Sequence, residues 1–219
     1  MKRNQSYIRY LTFLAAFGAL AFLSAAYIKL PGISFLKYEP KDVILTIGGM
    51  VFGPIFALIL SILVPFFEMI TVSSTGIIGF VMNVIAAACF VLPPVIAYNR
   101  RKKLQNLITG LIIGILLQTC SMLLWNYLLS PIFFGYSRAD VVKMLVPIIL
   151  PFNLAKGGLN SLFILLIYRP IVGALLKSNI LKTTDFNLIQ NEKKWTNLAV
   201  ILLIIATVVL LVMSYFKLI

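Results

Sequence analysis

Asn153 and Lys156 stand three residues apart in Pro151-Phe152-Asn153-Leu154-Ala155-Lys156-Gly157-Gly158, inside a long apolar run. At i and i+3 an amide and an ammonium share one helical face. Such a pair can hold a molecule with hydrogen-bond acceptors, because the ammonium donates and the amide both donates and accepts. Pro151 removes a backbone donor and is expected to bend the helix, turning a freed carbonyl toward a cavity. Gly157-Gly158 lets a ligand or another backbone come close. An ionisable group among apolar residues at membrane depth marks a functional site by default. The second reading is that Lys156 snorkels to the outer surface; the cavity-facing one is preferred. Asn126, in Leu124-Trp125-Asn126-Tyr127, either joins two helices or reads a ligand edge.

The chemistry that is missing is as informative. The chain has no histidine and six acids, Glu39, Asp42, Glu68, Asp140, Asp185 and Glu192. Zinc and haem ligation have no candidates. A serine nucleophile would lack its base, and the acids are too dispersed for a proton relay. No Gly-x-x-x-x-Gly-Lys-Ser/Thr occurs, so the chain does not hydrolyse ATP itself. No catalytic residue, metal ligand or cofactor is assigned, and a binding or transport role is favoured over an enzyme.

These residues must be positioned by elements that live in lipid. The 219 residues are 61% hydrophobic and 11% charged, against about 45–50% and about 25% for a soluble domain. Runs of roughly 20 apolar residues cross a bilayer as helices. They fall at Ile8–Lys29, Ile55–Val72, Ile77–Tyr98, Asn106–Leu129, Met144–Tyr168 and Trp195–Phe216. A shorter segment, with Asp42 as N-cap, ends at a Gly53-Pro54 turn. Ser130-Pro131 closes the fifth of the resulting seven segments. Glu68 lies at an outer end, where it is solvated. Cys89 and Cys120 are read as buried small hydrophobes.

The net charge of +13 is assigned to topology rather than to nucleic acid. With the N-terminus inside, twelve basic residues, including Arg100-Arg101-Lys102-Lys103, face the cytoplasm and six face outward, as the positive-inside rule requires. The loop Phe35-Leu36-Lys37-Tyr38-Glu39 is an interfacial belt or a lid over an outward pocket. Small residues four apart, Ala15/Ala19, Gly49/Gly53 and Gly110/Gly114, permit close helix contact; the first pair could instead be offered to a partner subunit.

Several segments together resemble the substrate-binding S components of energy-coupling-factor vitamin transporters, most closely their riboflavin-specific branch. They are Phe35-Leu36-Lys37-Tyr38-Glu39-Pro40-Lys41-Asp42-Val43, Gly48-Gly49 to Gly53-Pro54, Ser74-Thr75-Gly76, Phe90-Val91-Leu92-Pro93, Trp125-Asn126-Tyr127 and Pro151-Phe152-Asn153-Leu154-Ala155-Lys156-Gly157. The resemblance implies an all-α membrane bundle of six helices in a bacterial plasma membrane, capturing riboflavin as cargo from outside. It implies a membrane coupling protein and two cytoplasmic ATPases as partners. Asn126, Asn153 and Lys156 match polar contacts to the flavin, Leu36, Tyr38 and Gly76 match loops that close over it, and Ala15 and Ala19 match the contact with the coupling protein. Residues 1–176 would be the substrate-binding domain, 177–194 a cytoplasmic linker, and 195–219 a transmembrane helix beyond the usual six. Another vitamin, or a membrane enzyme or assembly factor acting on lipids, are the alternatives.

Overall fold

The computed structural model describes residues 2–28, 30–31, 37–135 and 137–177. Leu36, the linker after Lys177 and the Trp195–Phe216 run therefore lie outside the described residues. Helix α1 (Lys2–Tyr27) leads through a two-residue antiparallel bridge, β1 (Leu30–Pro31) with β2 (Lys37–Tyr38), to α2 (Lys41–Phe52). Then follow α3 (Pro54–Thr71), α4 (Gly76–Arg101) and α5 (Leu104–Phe134). A last rod consists of α6 (Arg138–Met144), a π-helical turn (Leu145–Ile149) and α7 (Leu150–Lys177). Among the described residues the bundle is all-α apart from the two-residue bridge, with six helical rods.

Five of the rods are long and apolar enough to cross a membrane: Tyr7–Tyr27, Pro54–Thr71, Gly76–Arg101, Leu104–Phe133 and Arg138–Tyr168. Their outer faces carry exposed Ile55, Ile77, Leu116, Ile132 and Leu166, the pattern of helices solvated by acyl chains rather than by water. The sixth, α2, has 12 residues, or about 18 Å at the usual rise, against a hydrocarbon core of about 30 Å. It is instead the centre of the bundle, buried from Lys41 to Met50 save for a half-buried Ile44.

Local chemistry explains the joints. Gly53 adopts φ +100°, a conformation side chains resist, and Pro54 opens α3 where its missing N–H is not needed. On α5, a Cβ at Gly114 would stand 2.5 Å from the Phe90 carbonyl oxygen of α4, so the two backbones touch. The π turn contains Pro147 and ends two residues before Pro151; the two rings remove two donors, and the Leu150 amide reaches back five residues to the Leu145 carbonyl.

Four expectations need correction. Pro40, not Asp42, occupies the N-cap of α2, and Asp42 lies in the first turn, 1% exposed. Helix α5 runs through Pro131 to Phe134 and ends on a left-handed Gly135; Ser130-Pro131 does not close it. The last rod starts at Arg138 rather than Met144, because Ser137 accepts from the Asp140 amide and caps it. Cys120 faces outward and Cys89 is half-buried, so neither is a core residue; the Cys89 Sγ lies 3.2 Å from Ser121 Oγ.

One charge of the Arg100–Lys103 cluster has a structural duty as well. Lys102 caps α4 in a left-handed conformation and donates to Asn99 Oδ1 at 2.8 Å. It thereby ties the end of α4 to α2, since Asn99 also donates to the Gly49 carbonyl.

Candidate ligand site

The buried charged residues among those described gather where α2 begins and α3 ends, and α7 passes beside them. Lys41 and Asp42 open α2 and point to opposite neighbours. The Lys41 ammonium, 2% exposed, meets Glu68 Oε2 of α3 at 2.5 Å and Glu39 Oε2 at 3.2 Å. Asp42 Oδ2 takes Lys156 Nζ of α7 at 3.5 Å and Asn160 Nδ2 at 3.4 Å. Asn160 Oδ1 in turn accepts from the Tyr38 hydroxyl at 2.8 Å. A continuous polar chain therefore runs from the bridge strand β2 through Asn160 and Asp42 to Lys156.

Two lysines inside an apolar bundle require carboxylates at the same depth, since an unpaired buried charge is far costlier than a paired one. Glu39, Asp42 and Glu68 supply them. Three carboxyl groups face two ammoniums, one more than one-to-one pairing needs. Burial, and secondarily the charge of Asp42, push the Tyr38 phenol well above its ordinary range. It therefore remains an O–H donor at any physiological pH.

The structure resolves the alternatives for Lys156. Its side chain is 11% exposed and paired with Asp42 inside the bundle, so it does not snorkel. Asn153 is buried on the same face of α7, its amide donating to the Ile149 carbonyl inside the π turn at 2.8 Å. Asn126 is buried on α5, donating to the Met122 carbonyl and accepting from Ser130 Oγ. Among the described residues its hydrogen bonds stay within α5. Tyr38 belongs to the polar chain directly. Gly76 does not: it opens α4 on the surface with φ +58°. Ala15 and Ala19 are exposed on α1.

Sequence reading missed Asn160, Asp42, Lys41 and Glu68 as parts of one site. Asn160 carried a usable signal, lying at i+4 from Lys156 and hence on its face. Glu68, expected to be solvated, is 4% exposed; its burial follows from Lys41, which no local pattern on α3 reveals. A wholly apolar cavity of ≈ 330 Å³ lies elsewhere, between α1, α2 and α7, against Phe13, Phe17, Phe52 and Ile171.

Charged and amide groups enclosed at one end of a lipid-solvated bundle can recognise a polar small molecule, and the relatives of the chain agree. It is similar to the protein named riboflavin transporter RibU of Staphylococcus aureus (strain TCH60), 28% identical over 184 residues, covering 80% of this chain and 96% of that one. The riboflavin transporter RibU of Streptococcus thermophilus is 26% identical, covering 77% and 85%. The riboflavin transporter FmnP of Bacillus subtilis is 26% identical, covering 63% and 78%. A solved S component of a bacterial ECF transporter superposes with a TM-score of 0.65 at 27% identity, covering 77% of this chain and 98% of that one. The sequence model for the substrate-specific component of ECF transporters matches residues 9–168, and the chain belongs to that family of membrane transport subunits.

Proposed function

We propose that the chain is the riboflavin-binding subunit of an energy-coupling-factor importer, with the vitamin held beside Lys156. The observation that carries this is Lys156 itself: an ammonium kept inside the bundle by Asp42 rather than released to the surface. A flavin offers what such a site reads. Its pyrimidine edge alternates acceptors and donors, its tricycle is apolar, and its ribityl tail carries hydroxyls. Lys156 donates to a carbonyl or hydroxyl oxygen of it, Asn126 and Asn153 supply amides, and Tyr38 and Leu36 belong to the covering loop, with Gly76 hinging the turn before α4. The riboflavin transporters among the relatives support the choice of vitamin.

The N-terminus is placed in the cytoplasm, which puts the site toward the outside and the basic Arg100–Lys103 end inward. Ala15 and Ala19 form the face that meets a membrane coupling protein, which carries two cytoplasmic ATPases. Residues 1–176 form the binding domain, 177–194 a cytoplasmic linker and 195–219 a further transmembrane helix.

The test is a titration. The chain purified in mild detergent should quench riboflavin fluorescence to a one-to-one end point. Saturable quenching by another vitamin-sized ligand, with none by riboflavin, would reassign the cargo. Absence of flavin from the purified protein together with no quenching would refute the reading.

A further inference from the structure

Asp42 is left half-used by the contacts described so far. Both interactions of its carboxylate fall on Oδ2, with Lys156 at 3.5 Å and Asn160 at 3.4 Å. These are long for charge-assisted hydrogen bonds, which run about 2.7–2.9 Å. Oδ1 is buried and meets no hydrogen-bond donor among the described residues. A bare carboxylate oxygen shielded from water is costly, and buried carboxylates ordinarily collect donors on both oxygens. Glu68 also has a bare oxygen, Oε1, but its other oxygen is locked to Lys41 at 2.5 Å. Asp42 is held loosely, beside the one ammonium that the cargo is expected to engage.

We infer that Asp42 is a ligand-contacting residue: Oδ1 accepts a hydrogen bond from an N–H or O–H of the bound molecule while Lys156 donates to a neighbouring acceptor on it. The inference rests on the flavin reading above and deepens it. The site then demands a donor and an acceptor side by side. The imide edge of a pyrimidine ring presents that pair, and so do adjacent hydroxyls of a polyol tail. A pocket built to receive a donor discriminates strongly against an analogue that lacks it, because the buried acceptor is left without a partner. Asn160 holds Oδ2 and Tyr38 holds Asn160, so both are positioning residues that aim Oδ1.

The experiment uses the full-length chain in detergent and three ligands followed by flavin fluorescence. Riboflavin has both donors, 3-methylriboflavin lacks the imide N–H, and lumiflavin lacks the hydroxylated tail. A wild type that binds no flavin overturns the flavin reading and this inference with it; a wild type that binds isolates the role of Asp42. Asp42→Asn should then weaken riboflavin about ten- to hundredfold, the range for a hydrogen bond to a charged group. For whichever analogue lacks the donor that Oδ1 accepts, wild type should already be weakened and Asp42→Asn should add less than about threefold. Equal losses for all three ligands would mean that Asp42 serves only to hold Lys156, and would overturn the inference. A second readout needs no variant. The chain has three aspartates, Asp42, Asp140 and Asp185, so the carboxylate stretch of aspartate-labelled wild type can be followed in infrared difference spectra. Riboflavin should shift it; an unchanged band would also overturn the inference.

Discussion

Removing Lys41 should damage the protein more than removing its main partner, and the structure says why. Lys41 is held by two carboxylates, Glu68 at 2.5 Å and Glu39 at 3.2 Å, whose side chains are 5% and 20% exposed. Glu68→Gln leaves the ammonium with Glu39, so the loss is partial. Breaking a buried pair outright costs about 3–5 kcal/mol, and with one partner kept we expect about 1–2 kcal/mol. Lys41→Met strands Glu68 and Glu39 together in the interior, and the full range of about 3–5 kcal/mol applies. For a chain of this size about 1 kcal/mol corresponds to about 2–4 °C in unfolding midpoint. The midpoints in detergent, measured without ligand, should therefore fall by several degrees for Glu68→Gln and by about 10 °C or more for Lys41→Met. The double variant Lys41→Met/Glu68→Gln should recover part of the Lys41→Met loss, because only Glu39, the more exposed carboxylate, is then left without its partner. Equal single effects, or a double variant whose loss is the sum of the two, would refute the claim that the three groups form one enclosed cluster.

Three further outcomes follow. Lys156→Met should weaken riboflavin about thirtyfold or more in a fluorescence titration, since it removes a charged donor and strands Asp42; an unchanged dissociation constant removes Lys156 from the site. Bulky residues at Ala15 and Ala19, which are exposed on α1, should abolish uptake by whole cells while leaving riboflavin binding by purified protein within about twofold; uptake that survives places the docking face elsewhere. Gly114→Ala should destabilise the bundle by about 1–3 kcal/mol in thermal unfolding, because its Cβ would meet the Phe90 carbonyl oxygen at 2.5 Å, and backbone cannot step aside as a side chain can.

How much of this could be read from the chain depends on the range of the interaction. Helices in lipid must satisfy their own backbone, so each of the five spans among the described residues was visible as an apolar run, and Gly53-Pro54 was visible as a turn. Lys156 was conspicuous because it is a charge where none should be, and its neighbour Asn153 follows from helical spacing; Asn160, four residues beyond Lys156, carried the same kind of signal and was missed. Helix ends were read less well. Pro131 looked like a stop, yet α5 continues past it to Phe134, and Gly135 supplies the left-handed residue that ends the helix. Ser137, three residues before Asp140, was a legible cap that was passed over. The pairing of charges was not legible at all. Asp42 next to the start of a helix reads as a cap, and Glu68 at the end of one reads as solvated. Only the fold brings Lys41 to Glu68, 27 residues on, and Asn160 to Asp42, 118 residues back.

Of the five long helices, α1 is the least buried, with 17% of its most apolar window covered against 61% for the last rod. A helix face that acyl chains solvate releases no ordered water when a partner covers it. Association must instead come from close backbone packing and from lipid set free. If α1 is the docking face, complex formation is a two-dimensional equilibrium of small free energy. Its extent is governed by copies per unit area of membrane and by the thickness and fluidity of the lipid, rather than by a fixed affinity.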